Sequence, residues 1–248
     1  MRFLVFCCSF LTASIACSQV IYVEEIEDHD KKGISAGIEL EYDYNKSKEI
    51  DMEFINKLFL RWDSELWTFY LFNEIDYNRT GNKDLANDGQ QHFRVSYHVK
   101  EKYSIESFVQ NKHDLVLNIE NRVLAAVGLK SKFPVVDFIG FYVLYENEEL
   151  VDGISNQDLR LSLSNQFSVN LSEKLKFSNK IHYQPKIEDI YDYRLALEAS
   201  IYVPLLKNLS FKNTFVLAHD THPAFDIPNT TYQIKNGLTY KFQQKNKL

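Results

Sequence analysis

Thr231–Phe242 reads TYQIKNGLTYKF. Tyr232, Ile234, Leu238, Tyr240 and Phe242 occupy even positions, with Asn236 as the polar exception. Thr231, Gln233, Lys235, Thr239 and Lys241 occupy odd ones, with Gly237. Successive side chains of a strand point to opposite faces, so a period of two makes one face apolar and the other wet. Strands that close outer-membrane barrels end on an aromatic in this way, with a second aromatic two residues earlier. The stretch is read as the seam of an all-β fold, a transmembrane antiparallel up-and-down β-barrel spanning 33–242. A polar tail follows at 243–248.

The same alternation recurs upstream. Gly33–Tyr44 sets Ile34, Ala36, Ile38, Leu40, Tyr42 and Tyr44 against Ser35, Gly37, Glu39, Glu41 and Asp43. Three carboxylates on one strand face need water or partners, because an isolated charge is too costly in a dry core. Ile50–Asp76 reads as two strands meeting at Asp63-Ser64, although Ile50, Phe54, Ile55, Leu58, Phe59 and Trp62 also fit a helical stripe. His92–Lys100 and Tyr103–Gln110 form a pair joined at Glu101-Lys102, and Arg122–Lys130 and Val135–Glu146 form another joined at Ser131–Pro134. Alternation in that second pair is poor, since Val123–Val127 is apolar on both faces. The second half is cleaner. Leu159–Val169, Leu175–Tyr183, Tyr193–Val203 and Leu209–Leu217 alternate well, which brings the total to about twelve strands.

The connections are expected to be asymmetric. Short turns fall at Asp63-Ser64, Glu101-Lys102, Ser131–Pro134, Ser172-Glu173 and Leu205–Asn208. Longer polar loops are expected at Asn45–Glu49, Tyr77–Gln90, Asn111–Asn121, Glu148–Asn156, Gln184–Ile190 and His219–Pro228, where turn-forming residues gather. Short on one side and long on the other is the arrangement of outer-membrane barrels.

Totals narrow the classes further. The chain has 248 residues, a size at which a β-barrel is commonly one unit. A formal net charge of -6 leaves no basic stripe for nucleic acid. Past the amino terminus nothing approaches the roughly 18 consecutive apolar residues of a membrane helix. Residues 1–18 read as a signal peptide: Arg2, the apolar run Phe3–Ile15, then Ala16-Cys17-Ser18 before Gln19. Lipidation of Cys17 is the competing reading. Residues 19–32 form an acidic periplasmic lead-in carrying Glu24, Glu25, Glu27, Asp28 and Asp30. All three cysteines, Cys7, Cys8 and Cys17, lie within the signal segment, so an exported chain cut after Ser18 would hold together without disulfides.

Periodicity alone does not say which face looks inward. Aromatics near the strand ends favour lipid outside: Trp62, Trp67, Tyr103, Tyr183, Tyr193, Tyr240 and Phe242 sit where headgroup-level belts form. The strand number also exceeds the roughly eight used by soluble ligand-binding barrels. On this reading the lumen-facing candidates are Glu39, Glu41, Asp43, Lys57, Arg94, Arg160, Lys180, Arg194, Glu198, Lys212 and Lys235. Arg61, Lys100, Glu106, Lys176, His182 and Lys241 lie on the same polar face. Rings of such charge could set the selectivity of a pore. They could equally pair across a plugged lumen.

The carboxy-terminal half carries a resemblance. RLSLSNQFSVNLSEKLKF (160–177), IHYQPKIEDIYDYRL (181–195), YVPLLKNLSF (202–211) and NTTYQIKNGLTYKF (229–242) resemble the salt-induced outer-membrane proteins, a β-barrel family grouped as a domain of unknown function. That resemblance implies an outer-membrane barrel of a Gram-negative bacterium and brings no catalytic residues.

Two clusters could carry chemistry. His219-Asp220-Thr221-His222 offers two imidazoles and a carboxylate, with no third strong ligand adjacent, so a polar rim loop is the plainer reading and no metal is assigned. Ser164, Ser168 or Ser200 with His182 could serve a barrel-embedded lipid hydrolase, if nucleophile and base lie within about 3 Å. The serines occupy the polar face, whereas a lipid arrives from outside. The expectation is a non-enzymatic outer-membrane barrel without a cofactor, a narrow channel or an envelope-stress component. Its partners would be outer-membrane lipids and small ions or solutes in the lumen. A soluble periplasmic barrel binding an apolar ligand and the lipid hydrolase stay as alternatives.

Overall fold

The computed structural model describes residues 32–46, 50–80, 83–134, 136–172, 174–224 and 227–243. The expected signal segment, nearly all of the acidic lead-in and the tail from residue 244 lie outside the described residues. The strands run in order as β1 (Gly33–Lys46), β2 (Ile50–Asp63), β3 (Trp67–Thr80), β4 (Lys83–Lys100), β5 (Tyr103–Asp114) and β6 (Ile119–Ser131). They continue as β7 (Phe138–Leu150), β8 (Ser155–Ser172), β9 (Leu175–Pro185), β10 (Tyr193–Pro204), β11 (Leu209–Asp220) and β12 (Thr230–Gln243). A short 3-10 turn, Leu115–Leu117, separates β5 from β6.

Each strand hydrogen-bonds its sequence neighbours, and β12 returns to β1, so the twelve strands among the described residues form one closed ring. The seam runs antiparallel from Ser35↔Gln243 to Glu41↔Gly237. Closure leaves no strand with a row of unsatisfied amides and carbonyls. Ile50–Asp76 resolves into β2 and most of β3, paired from Asp51↔Thr80 to Asp63↔Thr68.

The two faces separate by parity. In β7 the pattern is strict: Phe138, Gly140, Tyr142, Leu144, Glu146, Glu148 and Leu150 are buried, while the residues between them are exposed or half-buried. Around the ring the exposed face is apolar, including Leu40, Leu58, Leu60, Leu71, Phe93, Val109, Leu163, Phe211 and Leu238. Glu39, Lys57, Glu106, Arg160, Arg194 and Lys212 are buried. A soluble barrel around an apolar ligand needs the reverse arrangement.

Several expected loops are instead strand. Tyr77–Gln90 is not a loop: β3 and β4 stay paired out to Thr80↔Lys83, with one irregularity at Asn78/Arg79. Asn45–Glu49 shrinks likewise, since Asn45↔Asp51 and Lys46↔Ile50 are paired. Asn111–Asn121 is taken up by the end of β5, the 3-10 turn and the start of β6. The reason is that a ladder needs only backbone donors and acceptors, so polar residues can continue a strand where both faces are polar and the period of two fades. The connections opposite the start of β1 therefore span 47–49, 81–82, 115–118, 151–154, 186–192 and 221–229, and only the last two are long. At the end where β1 begins and β12 finishes they span 64–66, 101–102, 132–137, 173–174 and 205–208.

Close packing inside the ring shows at Gly37, which pairs with Phe59 across β1 and β2. A Cβ at Gly37 would collide with the Phe59 ring, which is itself fully buried. Overpacking of this kind typically costs about 1–3 kcal/mol. Gly37→Val is expected to lower the unfolding temperature of the refolded barrel, read by the heat-dependent shift in electrophoretic mobility. A variant as heat-resistant as the parent would contradict this packing.

Candidate functional site in the barrel interior

Because alternate residues of every strand enter the ring, the interior is a stack of side-chain levels. At the end away from the start of β1, Arg194 on β10 reaches Glu146 on β7 through Nη1, at 2.6 and 2.7 Å from its two oxygens. Its Nε donates to Asp220 on β11 at 2.9 Å, and Nη2 lies 3.6 Å from Glu148. Arg122 on β6 in turn donates from Nε to Glu148 at 2.6 Å. The ion-paired chain Arg122–Glu148–Arg194–Asp220 thus joins β6 to β11, a span of about half the ring. Arg160 on β8 forms a separate group with Asp158 at 3.3 Å and Asp192 at 3.0 Å, and Lys186 lies 2.5 Å from Asp158.

A second level lies about the seam. Lys57 on β2 donates to Glu41 at 2.9 Å and Glu39 at 3.2 Å, both on β1. Lys212 on β11 donates to Glu39 at 3.0 Å and stands 3.7 Å from Glu198 on β10. Thr239 donates to Glu39 at 2.8 Å and Ser200 to Glu198 at 2.7 Å. Glu39 is 0% exposed and Lys212 1%, so these ions are held by one another and by hydroxyls. Removing one partner of such a buried pair typically costs about 3–5 kcal/mol, since the other charge is stranded.

Between these charges, β2, β3, β5, β6 and β7 contribute an apolar patch to one side of the interior, interrupted by buried Gln90, His92 and Arg94 of β4. Phe59, Tyr70, Phe72, Phe108, Leu124, Ala126, Tyr142 and Leu144 form one buried cluster. The facing wall, β8 to β12, presents Ser162, Ser164, Gln166, Ser178, Ser200, Thr214, Thr231 and Thr239, all buried.

The sequence-derived candidates distribute as follows. Side chains of Glu39, Glu41, Lys57, Arg94, Arg160, Lys180, Arg194, Glu198 and Lys212 are buried in the interior, and that of Lys235 is half-buried. The side chain of Asp43 lies outside the described ones. Lys100 is exposed instead, because a register shift between His98 and Lys100 breaks the parity at the end of β4. The apolar interior wall was not anticipated. Its signal was present where alternation failed: Ile55 and Phe59 point inward from β2, and Leu124 and Ala126 from β6. Apolar residues on both faces made β2 resemble a helix and β6 an irregular strand.

The aromatics group at both ends. Trp62, Trp67, Tyr103, Tyr240 and Phe242 are exposed near the end where β1 begins, and Trp67 packs on Tyr97 with ring centroids 4.8 Å apart. At the other end Tyr183 meets Tyr193 at 5.5 Å.

The histidine-rich loop does not draw its side chains together. His219 Nδ1 lies 2.7 Å from Thr230 Oγ1 on the outer face, while Asp220 points inward to Arg194. His222 is exposed, 3.9 Å from Asp192. Among the described residues no three His, Cys, Asp or Glu side chains converge as metal ligands would. Ser164 and His182 are paired across β8 and β9, and Ser168 faces Ser178. Ser200 is engaged with Glu198 and Thr214. All of these serines and His182 stand at interior parity.

No curated protein sequence matches the chain. Among solved structures, the NanC porin superposes with a TM-score of 0.52 at 10% identity, covering 84% of this chain and 100% of that one. An outer membrane channel from Pseudomonas putida F1 gives 0.50 at 7% identity, covering 88% and 99%. These likenesses establish the fold, a closed twelve-stranded antiparallel barrel. Residues 38–242 match the family described as "Protein of unknown function, DUF481", and the chain belongs to that family.

Proposed function

We propose that the protein is an outer-membrane barrel of a Gram-negative bacterium, with a narrow charge-lined passage for small ions or solutes. The observation that carries this reading is the division of its two surfaces, an exposed apolar girdle outside and ion-paired charge inside. An exterior of Leu, Val and Phe bounded by aromatics suits hydrocarbon between two headgroup layers. The porin and channel of similar fold bring the idea of passage by analogy alone. In this conformation the passage is narrowed by the chain from Arg122 to Asp220 and by the apolar cluster that runs from Phe59 to Leu144.

The filled interior favours a second reading, a non-conducting envelope component of the salt-induced type to which the sequence bears a resemblance. Conductance separates the two. The native barrel in planar bilayers is expected to give small currents, and Arg194→Ala to raise them severalfold with a shift towards cations, since removing this cation leaves Glu146 and Asp220 in excess. Absence of current from both native protein and Arg194→Ala, when both show the mobility shift of a folded barrel, would favour the non-conducting reading.

The location has its own test. The protein is expected to stay with the outer-membrane fraction through high salt and alkaline carbonate, and to leave it only in detergent. Release by salt alone would overturn the transmembrane reading.

A further inference from the structure

The connection 221–229 joins β11 to its neighbour β12, yet its middle lies against the far side of the ring. Ala224 and Ile227 pack on Leu117, Ile119 and Leu150, all three buried. Leu117 belongs to the 3-10 turn after β5, Ile119 opens β6 and Leu150 ends β7. In the closed ring β12 stands opposite β6, and β11 opposite β5. A connection that touches both sides must cross the mouth. The contact faces inward: Leu150 continues the buried parity of Glu146 and Glu148, and a register shift between Ile119 and Asn121 pairs Ile119 with it.

Base and tip of this connection are held differently. At the base, Asp220 N donates to the Asn229 carbonyl at 2.8 Å, and Thr221 N to that of Tyr193 at 3.2 Å. Asn229 Nδ2 donates to the carbonyls of Asp220 and Thr221 at 3.0 and 3.2 Å. The tip meets the far wall through the apolar side chains of Ala224 and Ile227. A contact of two modest side chains opens far more readily than a strand ladder. Directly beneath it lie Arg122 and Glu148, each 6% exposed although they stand one interior level below the strand ends. Charged groups so near an open mouth would be wet; here a segment of chain crosses above them.

We infer that the connection 221–229 is a lid on this mouth, closed by the contact of Ala224 and Ile227 with Leu117, Ile119 and Leu150 and hinged at its hydrogen-bonded base. Opening it uncovers the chain from Arg122 to Asp220. A solute arriving from this side therefore meets an apolar seal first and ion-paired charge second. As a gate the lid rests on the proposed passage; as a cover over buried charge it does not. Access and conduction are accordingly separate measurements.

The test reads the seal with a single cysteine, Leu150→Cys, in the full chain with Cys7, Cys8 and Cys17 replaced by Ser. In the detergent-refolded barrel it is expected to react with a water-soluble maleimide much more slowly than Val151→Cys, its exposed neighbour. Ile227→Asp sets a carboxylate against the apolar contact and should raise the Leu150→Cys rate about tenfold, because an unpaired charge there favours the open lid. Ala224→Asp should act alike, and Leu206→Asp, on the turn at the opposite end, should change nothing. Both lid substitutions lie outside the ladder, and the heat-dependent mobility shift checks that each variant is folded. Leu150→Cys as reactive as Val151→Cys, or unmoved by Ile227→Asp and Ala224→Asp in folded barrels, would overturn the inference. Faster labelling without current in any variant would refute the passage and leave the lid standing.

Discussion

Two demands act on every strand of this protein at once: its backbone must be fully hydrogen-bonded, and its charges must be kept from the apolar exterior. Closing the ring from β12 back to β1 meets the first, because no strand edge is left unpaired. The period of two meets the second, because parity alone decides which side chains enter. Slipping the seam by one residue would turn Leu238 and Tyr240 inward and push Lys235 and Lys241 out. Register and charge placement are therefore one constraint.

Once inside, ionised groups must be reconciled with one another. The barrel does this by reaching around the ring: Arg194 touches strands on both sides of its own, and Glu39 collects Lys57, Lys212 and Thr239 from three strands. Such networks tie strands distant in sequence and should stiffen the wall. Any passage through the middle then depends on rearranging salt bridges, which are strong where water is scarce. The apolar cluster around Phe59 and Tyr142 occupies the remaining volume on one side, so the interior is divided laterally as well as layered along its axis.

Extended hairpins give the barrel a second character. The β3–β4 ladder continues through Asn, Asp and Arg well past the last outward Leu and Phe. In that region neither face has to be apolar, and backbone pairing alone sustains the strands.

Most of the fold was written in the residues. Tyr232 to Phe242, Leu195 to Val203 and Ile34 to Tyr42 alternate so cleanly that strand and parity follow directly, since each is a property of neighbouring positions. The buried charges from Glu39 to Lys212 could be named on the same basis. What could not be read were relations between distant strands. Nothing near Arg194 in sequence names Glu146 as its partner, and no local pattern announces that Phe59, Phe108 and Leu144 meet inside. Polar strand ends at Tyr77–Gln90 looked like loop because composition marks exposure, not pairing. A cavity around Glu106 draws on β2 to β6 and the connection after them, so the curvature of the sheet and no local pattern brings its side chains together. Local chemistry set the faces; the curvature of the closed sheet chose what those faces enclose.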